Sequence, residues 1–239
     1  MSMGKIICIG LGPGDPDLMS VKADRLLRRA TQVAYFRKGG NPGQARSMVE
    51  GLLPADCREH PMEYPLTTEI PLSDPRYNAQ LGAFYASWAD RLQALCHQGD
   101  VVVLCEGDPF FYGSFMHLQI RLPAEIVEIV PGIPGMVGCW SAAGLPMTWG
   151  DDVLTVLPAT LPQDQLEAKI AATDALVVMK IGRHLDKLRA ALQARGRSAD
   201  AWLVEYGTMP NQKIRKLDDV TGKVPYFSIV LVHGKGRRP

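Results

Sequence analysis

Two glycine- and proline-rich segments hold the residues best placed to do chemistry. The first, Gly10-Leu11-Gly12-Pro13-Gly14-Asp15-Pro16, follows a short apolar run and gathers three glycines and two prolines, more than a connecting turn requires. Bare backbone of this kind lets a ligand approach closely. The second, Val103-Leu104-Cys105-Glu106-Gly107-Asp108-Pro109-Phe110-Phe111-Tyr112-Gly113, repeats the design with acids and aromatics. Carboxylates, backbone groups and aromatic rings at one loop suit a ligand that carries both a cation and an adenine, as S-adenosylmethionine does. A dinucleotide fingerprint fails at the first segment. The third glycine of G-x-G-x-x-G falls at Asp15, whose charge would face a pyrophosphate, and the second apolar run ends Tyr35-Phe36-Arg37 without a ribose-binding acid. The plainer alternatives are a Gly/Pro connector for the first segment and a solvated acidic turn for the second.

Loops of this kind need strands to hold them, and the chain alternates strand and helix patterns as a parallel sheet requires. Strands are expected at residues 5–9, 32–36, 101–105 and 125–130, then near 153–157, 175–179, 201–205 and 226–232. Helices are expected at about 20–30, 44–53 and 76–97, in a short piece from Tyr112, in a small-residue segment ending at Ala143, and near 165–172 and 184–195. The long helix 76–97 repeats apolar residues at three and four (Leu81, Phe84, Tyr85, Trp88, Leu92, Leu95) and so packs one face inward. A loop rich in proline (Pro61, Pro65, Pro71, Pro75) precedes it. Pro131-Gly132-Ile133-Pro134-Gly135 breaks the pattern, giving an α/β protein of two α/β domains, 1–131 and 132–239. No repeat or low-complexity tract is present.

With 239 residues, 46% hydrophobic and 21% charged, the chain has the balance of a globular protein and length for one large or two compact domains. Its longest apolar runs fall far short of a membrane span and the N-terminus lacks the sections of a signal peptide, so a cytoplasmic protein is expected. Five scattered cysteines, Cys8, Cys57, Cys96, Cys105 and Cys139, form no C-x-x-C pair, so buried free thiols are expected rather than disulfides or a metal site. The net charge of +1 argues against nucleic-acid binding. Residues 1–50 nevertheless carry eight Lys or Arg against four acids. A polyanionic small molecule is one use for that surplus. A solvated face of the first helix, with Lys22, Arg25 and Arg29, is the other.

Four motifs, in order, resemble the tetrapyrrole (precorrin) methylases. They are the G-x-G-P-G-D loop at residues 10–15, the G-D-P loop with its aromatic and glycine at 107–113, the V-P-G turn at 130–132, and E-x-G-T at Glu205-Tyr206-Gly207-Thr208. Within the family, residues 64–71, 105–114 and 150–158 look most like the members that methylate carbon 20 of precorrin-2. Two departures stand out. Glu106 occupies a position where uroporphyrinogen methylases typically carry glycine, and Pro134 and Gly135 replace the usual hydroxyl and small residue after V-P-G.

The resemblance implies a fold unlike the common Rossmann-like methyltransferases, with S-adenosylmethionine in a cleft between the two domains. Carried over motif by motif, its contacts fall on Pro13, Gly107, Asp108, Phe111, Pro134, Gly135, Ile181 and Gly207. Ile181 also reads as a core aliphatic and Gly207 as a turn glycine. The resemblance further implies a homodimer, with precorrin-2 near the first glycine loop and its carboxylates held by Lys and Arg. Methyl transfer asks mainly for geometry, because the sulfonium already makes the methyl electrophilic. A proton must finally leave the methylated carbon. Asp15, Glu106, Asp108 and Tyr112 are placed to accept it, and Asp15 is the candidate chosen. No protein-bound metal is expected. Residues 135–140 and the lack of clustered metal ligands lean toward a metal-free macrocycle over a cobalt-containing one. A nicotinamide-dependent tetrapyrrole reductase and a non-catalytic carrier are the competing readings.

Overall fold

The computed structural model describes residues 3–65 and 75–237. Its first unit, Met1–Gly135, grows from apolar runs whose alternate side chains are buried on opposite faces. In chain order it comprises β1 (Ile6–Gly10), α1 (Val21–Leu27), β2 (Gln32–Arg37), α2 (Gln44–Met48), β3 (Arg58–Glu63), α3 (Pro75–Cys96), β4 (Val101–Cys105), α4 (Phe115–Gln119) and β5 (Val127–Val130). The strands form one parallel sheet in the order β3-β2-β4-β1-β5. Ile6, Cys8, Val101, Val103 and Cys105 pack with α3 and α4 on one face. Ile7, Ile9, Val102 and Leu104 pack with α1 and α2 on the other. A sheet covered on both faces explains why these strands read as continuous apolar runs.

The second unit, Met136–Pro239, takes in most of α5 (Gly135–Ala142), followed by β6 (Leu154–Pro158), α6 (Gln163–Ala171), β7 (Ala175–Met179), α7 (Leu185–Ala194), β8 (Ala201–Glu205), β9 (Lys213–Lys216) and β10 (Ser228–Val232). Its sheet runs β6-β7-β10-β8-β9. β6 and β7 are parallel, and β10 is antiparallel to both β7 and β8. Leu176, Val178, Leu203 and Val230 face α6 and α7, whereas Val177, Val204 and Leu231 face α5.

Several sequence expectations are corrected. The proline-rich loop contains β3, which tolerates Pro61 because it is an edge strand, where a missing N–H costs no ladder bond. β9 is Lys-Ile-Arg-Lys, another edge strand, too polar to show as an apolar run. The helix expected over 44–53 is helical only for Gln44–Met48 and continues as turns. The short piece expected from Tyr112 starts at Phe115, because residues 109–113 form a tight turn in which a Gly113 Cβ would lie 2.5 Å from Pro109 O. From Leu66 to Pro71, the stretch 64–71 lies outside the described residues.

All five cysteines are free and four are buried. The Cys8 and Cys105 sulfurs lie 3.7 Å apart under the glycine loops. α1 opens on a capping hydroxyl, Ser20 Oγ accepting the Ala23 N–H at 3.2 Å. Ser20→Ala should therefore lower stability by about 1 kcal/mol, read as a shift of the urea midpoint at constant slope. An unchanged midpoint would show that water replaces the cap without loss.

Candidate functional site

In the first unit, β1, β4 and β5 end side by side, and their following loops meet backbone to backbone. Gly12 and Gly107 form an isolated bridge: Gly107 N donates to Gly12 O at 2.8 Å and Gly12 N to Gly107 O at 3.3 Å. A Cβ on Gly10 would lie 2.5 Å from Gly132 N and 2.6 Å from Gly107 O. One on Gly132 would lie 2.1 Å from Gly107 O. Only glycine permits this approach of three loops. Gly12 and Gly107 also hold φ of 84° and 63°, a region side chains disfavour.

Asp108 ties the junction together. One carboxylate oxygen accepts Phe110 N–H at 2.9 Å and the other accepts Gly132 N–H at 3.0 Å, across the end of β1. Beside it, Phe110 and Tyr112 are exposed and Phe111 is half-buried. Pro13 is buried, Pro134 and Gly135 are half-buried, and nothing lies within 4 Å of where a Gly135 Cβ would stand. Asp15 caps the short 3-10 turn Pro16–Leu18, accepting Asp17 N–H at 2.9 Å.

Glu106 does something the sequence did not signal. Its Oε1 accepts Ala45 N–H at 3.0 Å, holding the first turn of α2 against the end of β4. The residue keeps solvent access, but the dense chain around its carboxyl raises the pKa by desolvation, opposed by hydrogen bonds from its own N–H and that of Ala45.

In the second unit, Ile181 and Gly207 follow the ends of β7 and β8. Ile181 is wholly buried in the core, and its carbonyl accepts the His184 N–H at 2.6 Å. Gly207 is buried because α5 packs on it, with a Cβ there falling 2.6 Å from Cys139 Sγ. Burial pushes the Cys139 thiol up to about 12. Glu205, the acid of E-x-G-T, is buried and paired with Arg215 of β9 at 2.9 Å. It therefore anchors the edge strand.

The backbone marks the same edges. Among the described residues, non-glycine positive φ occurs at Lys180 (56°), Tyr206 (50°) and Thr208 (68°), just past the carboxyl ends of β7 and β8, and at Tyr112 (57°), further along the loop that follows β4. Such strain gathers where a fold holds backbone for a ligand. A cavity of about 370 Å³ lies instead at the opposite edge of the second sheet. Its charges are spent internally: Asp200 on Lys235 at 2.6 Å, Asp152 on Trp149 N–H, and Arg197 on the carbonyls of Thr173 and Asp174.

Much of the N-terminal basic surplus is also paired. Lys22 meets Glu128 at 2.6 Å, Arg28 meets Asp24 at 2.9 Å, Arg37 meets Glu63 at 2.9 Å and Arg46 meets Glu59 at 2.8 Å. Lys22, Arg25 and Arg29 belong to or follow the exposed face of α1, while Arg37 and Lys38 stand at the loop edge of the sheet.

Glycine loops at the carboxyl ends of a parallel α/β sheet are the place where open α/β folds hold small ligands. Residues 5–220 match the family model described as Tetrapyrrole (Corrin/Porphyrin) Methylases, and the chain belongs to that family. A Sinorhizobium protein named precorrin-2 C(20)-methyltransferase is 48% identical over 242 residues, covering 100% of this chain and 99% of that one. A Salmonella typhimurium protein named cobalt-precorrin-2 C(20)-methyltransferase is 27% identical over 238 residues, covering 96% of each chain. The crystal structure of uroporphyrin-III C-methyl transferase from Thermus thermophilus, complexed with S-adenyl homocysteine, matches in fold with a TM-score of 0.66 at 22% identity, covering 96% of this chain and 97% of that one. No described helix is long and apolar enough to cross a membrane.

Proposed function

We propose that this chain is an S-adenosylmethionine-dependent C-methyltransferase that methylates carbon 20 of precorrin-2, giving precorrin-3A in cobalamin biosynthesis. The observation that carries the reading is the end-to-end likeness, at 48% identity, to a relative named for that reaction. Likeness to the relative named for the cobalt-containing substrate is lower, at 27%, which favours the metal-free macrocycle.

The residues fit the cofactor. S-adenosylmethionine supplies an electrophilic methyl on a sulfonium. The strand-end loops meet without side chains at Gly12 and Gly107, leave open space over Gly135, and present an aromatic ring at Phe111. Pro13, Gly107, Phe111, Pro134 and Gly135 of the first unit are the proposed contacts, with Ile181 and Gly207 proposed in the second; Asp108, expected among them from the sequence, is proposed to position them. Asp108 serves that set by fixing the loops, since both of its oxygens are engaged by N–H groups. Asp15, the proton acceptor chosen from its place in the sequence, uses its carboxylate to cap a turn. A homodimer acting in the cytoplasm belongs to the same reading.

The test is turnover with labelled S-adenosylmethionine, offering precorrin-2 and its cobalt complex in parallel. The expected product carries one new methyl at carbon 20, with kcat/KM at least tenfold higher for the metal-free substrate, about 1.4 kcal/mol. Binding without turnover would favour a carrier. Preference for the cobalt complex would reassign the substrate.

A further inference from the structure

We propose that Glu106 is the proton acceptor of methyl transfer, an assignment that rests on the function proposed above. The electron pair of the meso carbon forms the new bond to the methyl as the sulfur–methyl bond breaks, leaving a neutral thioether. The macrocycle then carries the positive charge. It regains neutrality when the proton on that carbon passes to the Glu106 carboxylate, which later releases it to water.

Position is the first argument. Glu106 is the residue after β4 and directly precedes Gly107, whose backbone is bridged to Gly12 of the first loop. It keeps solvent access, and the Ala45 N–H fixes its carboxylate through Oε1 at 3.0 Å. Elimination is the second. Asp108 has committed both oxygens to backbone N–H groups and Tyr112 offers a phenol rather than a carboxylate, which leaves Glu106 and Asp15, each with one oxygen on a backbone N–H. Desolvation of the Glu106 carboxyl is the third, since a carboxylate held above its usual range is a stronger base.

The surrounding groups leave that function intact. Tyr64, after β3, is kept in its neutral form by burial. Arg37 and Lys38 stand at the end of β2, where Arg37 is paired with Glu63, and Arg46 of α2 is paired with Glu59. Asp15 and Asp108 are the acids of the adjoining loops. None of these charges is a cause of the Glu106 shift, which comes from desolvation set against two backbone hydrogen bonds.

Glu106→Gln separates chemistry from structure, because the amide oxygen still accepts the Ala45 N–H while the side chain no longer takes up a proton. The variant should bind S-adenosylhomocysteine within twofold of wild type by calorimetry and lose about 100-fold in kcat. Deuterium at carbon 20 should give a primary isotope effect in the variant, as proton removal becomes limiting. The acidic limb of the wild-type kcat profile should lie above the ordinary glutamate value of about 4.3 and vanish in the variant. A glutamine enzyme within threefold of wild type, with only Glu106→Ala impaired, would make Glu106 a helix cap and overturn the proposal. So would a loss of rate without the isotope effect, or with lost cofactor binding. If wild type itself makes no methylated product, the functional reading fails first.

Discussion

Gly132→Ala is expected to abolish both cofactor binding and activity, and to lower stability by about 3 kcal/mol or more. The added Cβ would lie 2.1 Å from Gly107 O, 2.7 Å from Gly10 C and 2.8 Å from Gly10 Cα. All three are backbone atoms of strand ends, so no side chain can swing aside to make room. Relief requires one strand-end loop to withdraw, which breaks the Gly132 N–H bond to Asp108 and opens the face where the cofactor is proposed to rest. For a chain of this size the loss corresponds to a melting temperature lower by roughly 6–12 °C. Gly135→Ala supplies the contrast. Its Cβ meets nothing within 4 Å, and the residue begins α5, where alanine is favoured over glycine by up to about 1 kcal/mol. That variant should melt at or slightly above wild type while binding S-adenosylhomocysteine about tenfold more weakly. Loss of stability in Gly135→Ala, or wild-type binding in Gly132→Ala, would break the link between the glycine junction and the cofactor.

These glycines were legible as a group and illegible in their reasons. β1, β4, β7 and β8 could be read from their apolar runs because both faces of each sheet are buried, and burial on both faces leaves an unmistakable pattern. β3 and β9 could not. Pro61 argues against a strand everywhere except at an edge, and Lys213, Arg215 and Lys216 give β9 the look of a solvated loop. Edge position is a property of the sheet order, which no local window contains. The same holds for the site. Gly107-Asp108-Pro109 announces a ligand loop, but its partner Gly132 lies 24 positions away, and β1 stands between β4 and β5. Asp108 reaches across only because Gly10, at the end of β1, has no side chain in the way. Likewise Glu106 meets Ala45 through the pairing of β2 with β4, so its role as a cap depends on topology rather than spacing.

Asp108→Ala is expected to weaken S-adenosylhomocysteine binding by about 10- to 100-fold and, in the same variant, to lower the stability of the free protein. The carboxylate now satisfies Phe110 N–H at 2.9 Å and Gly132 N–H at 3.0 Å. Removing it leaves two donors without partners, one of them part-buried, at about 1–3 kcal/mol for each that water does not reach. The loops after β4 and β5 would then separate, and the backbone groups proposed to hold the cofactor would lose their spacing. A direct ligand contact makes a different forecast, with affinity falling while the melting temperature of the free protein stays fixed. Asp108→Asn sharpens the distinction. Its amide oxygen can accept one N–H, but its NH2 group must face the other, so the tie is half restored and the NH2 opposes the second donor. For a positioning residue, asparagine should fall between aspartate and alanine in both affinity and melting temperature, with the two quantities moving together. Calorimetry with S-adenosylhomocysteine and thermal unfolding of the same three proteins provide the comparison. Affinity that falls alone would return Asp108 to the cofactor's own contacts and leave the closeness of the three loops to the glycines.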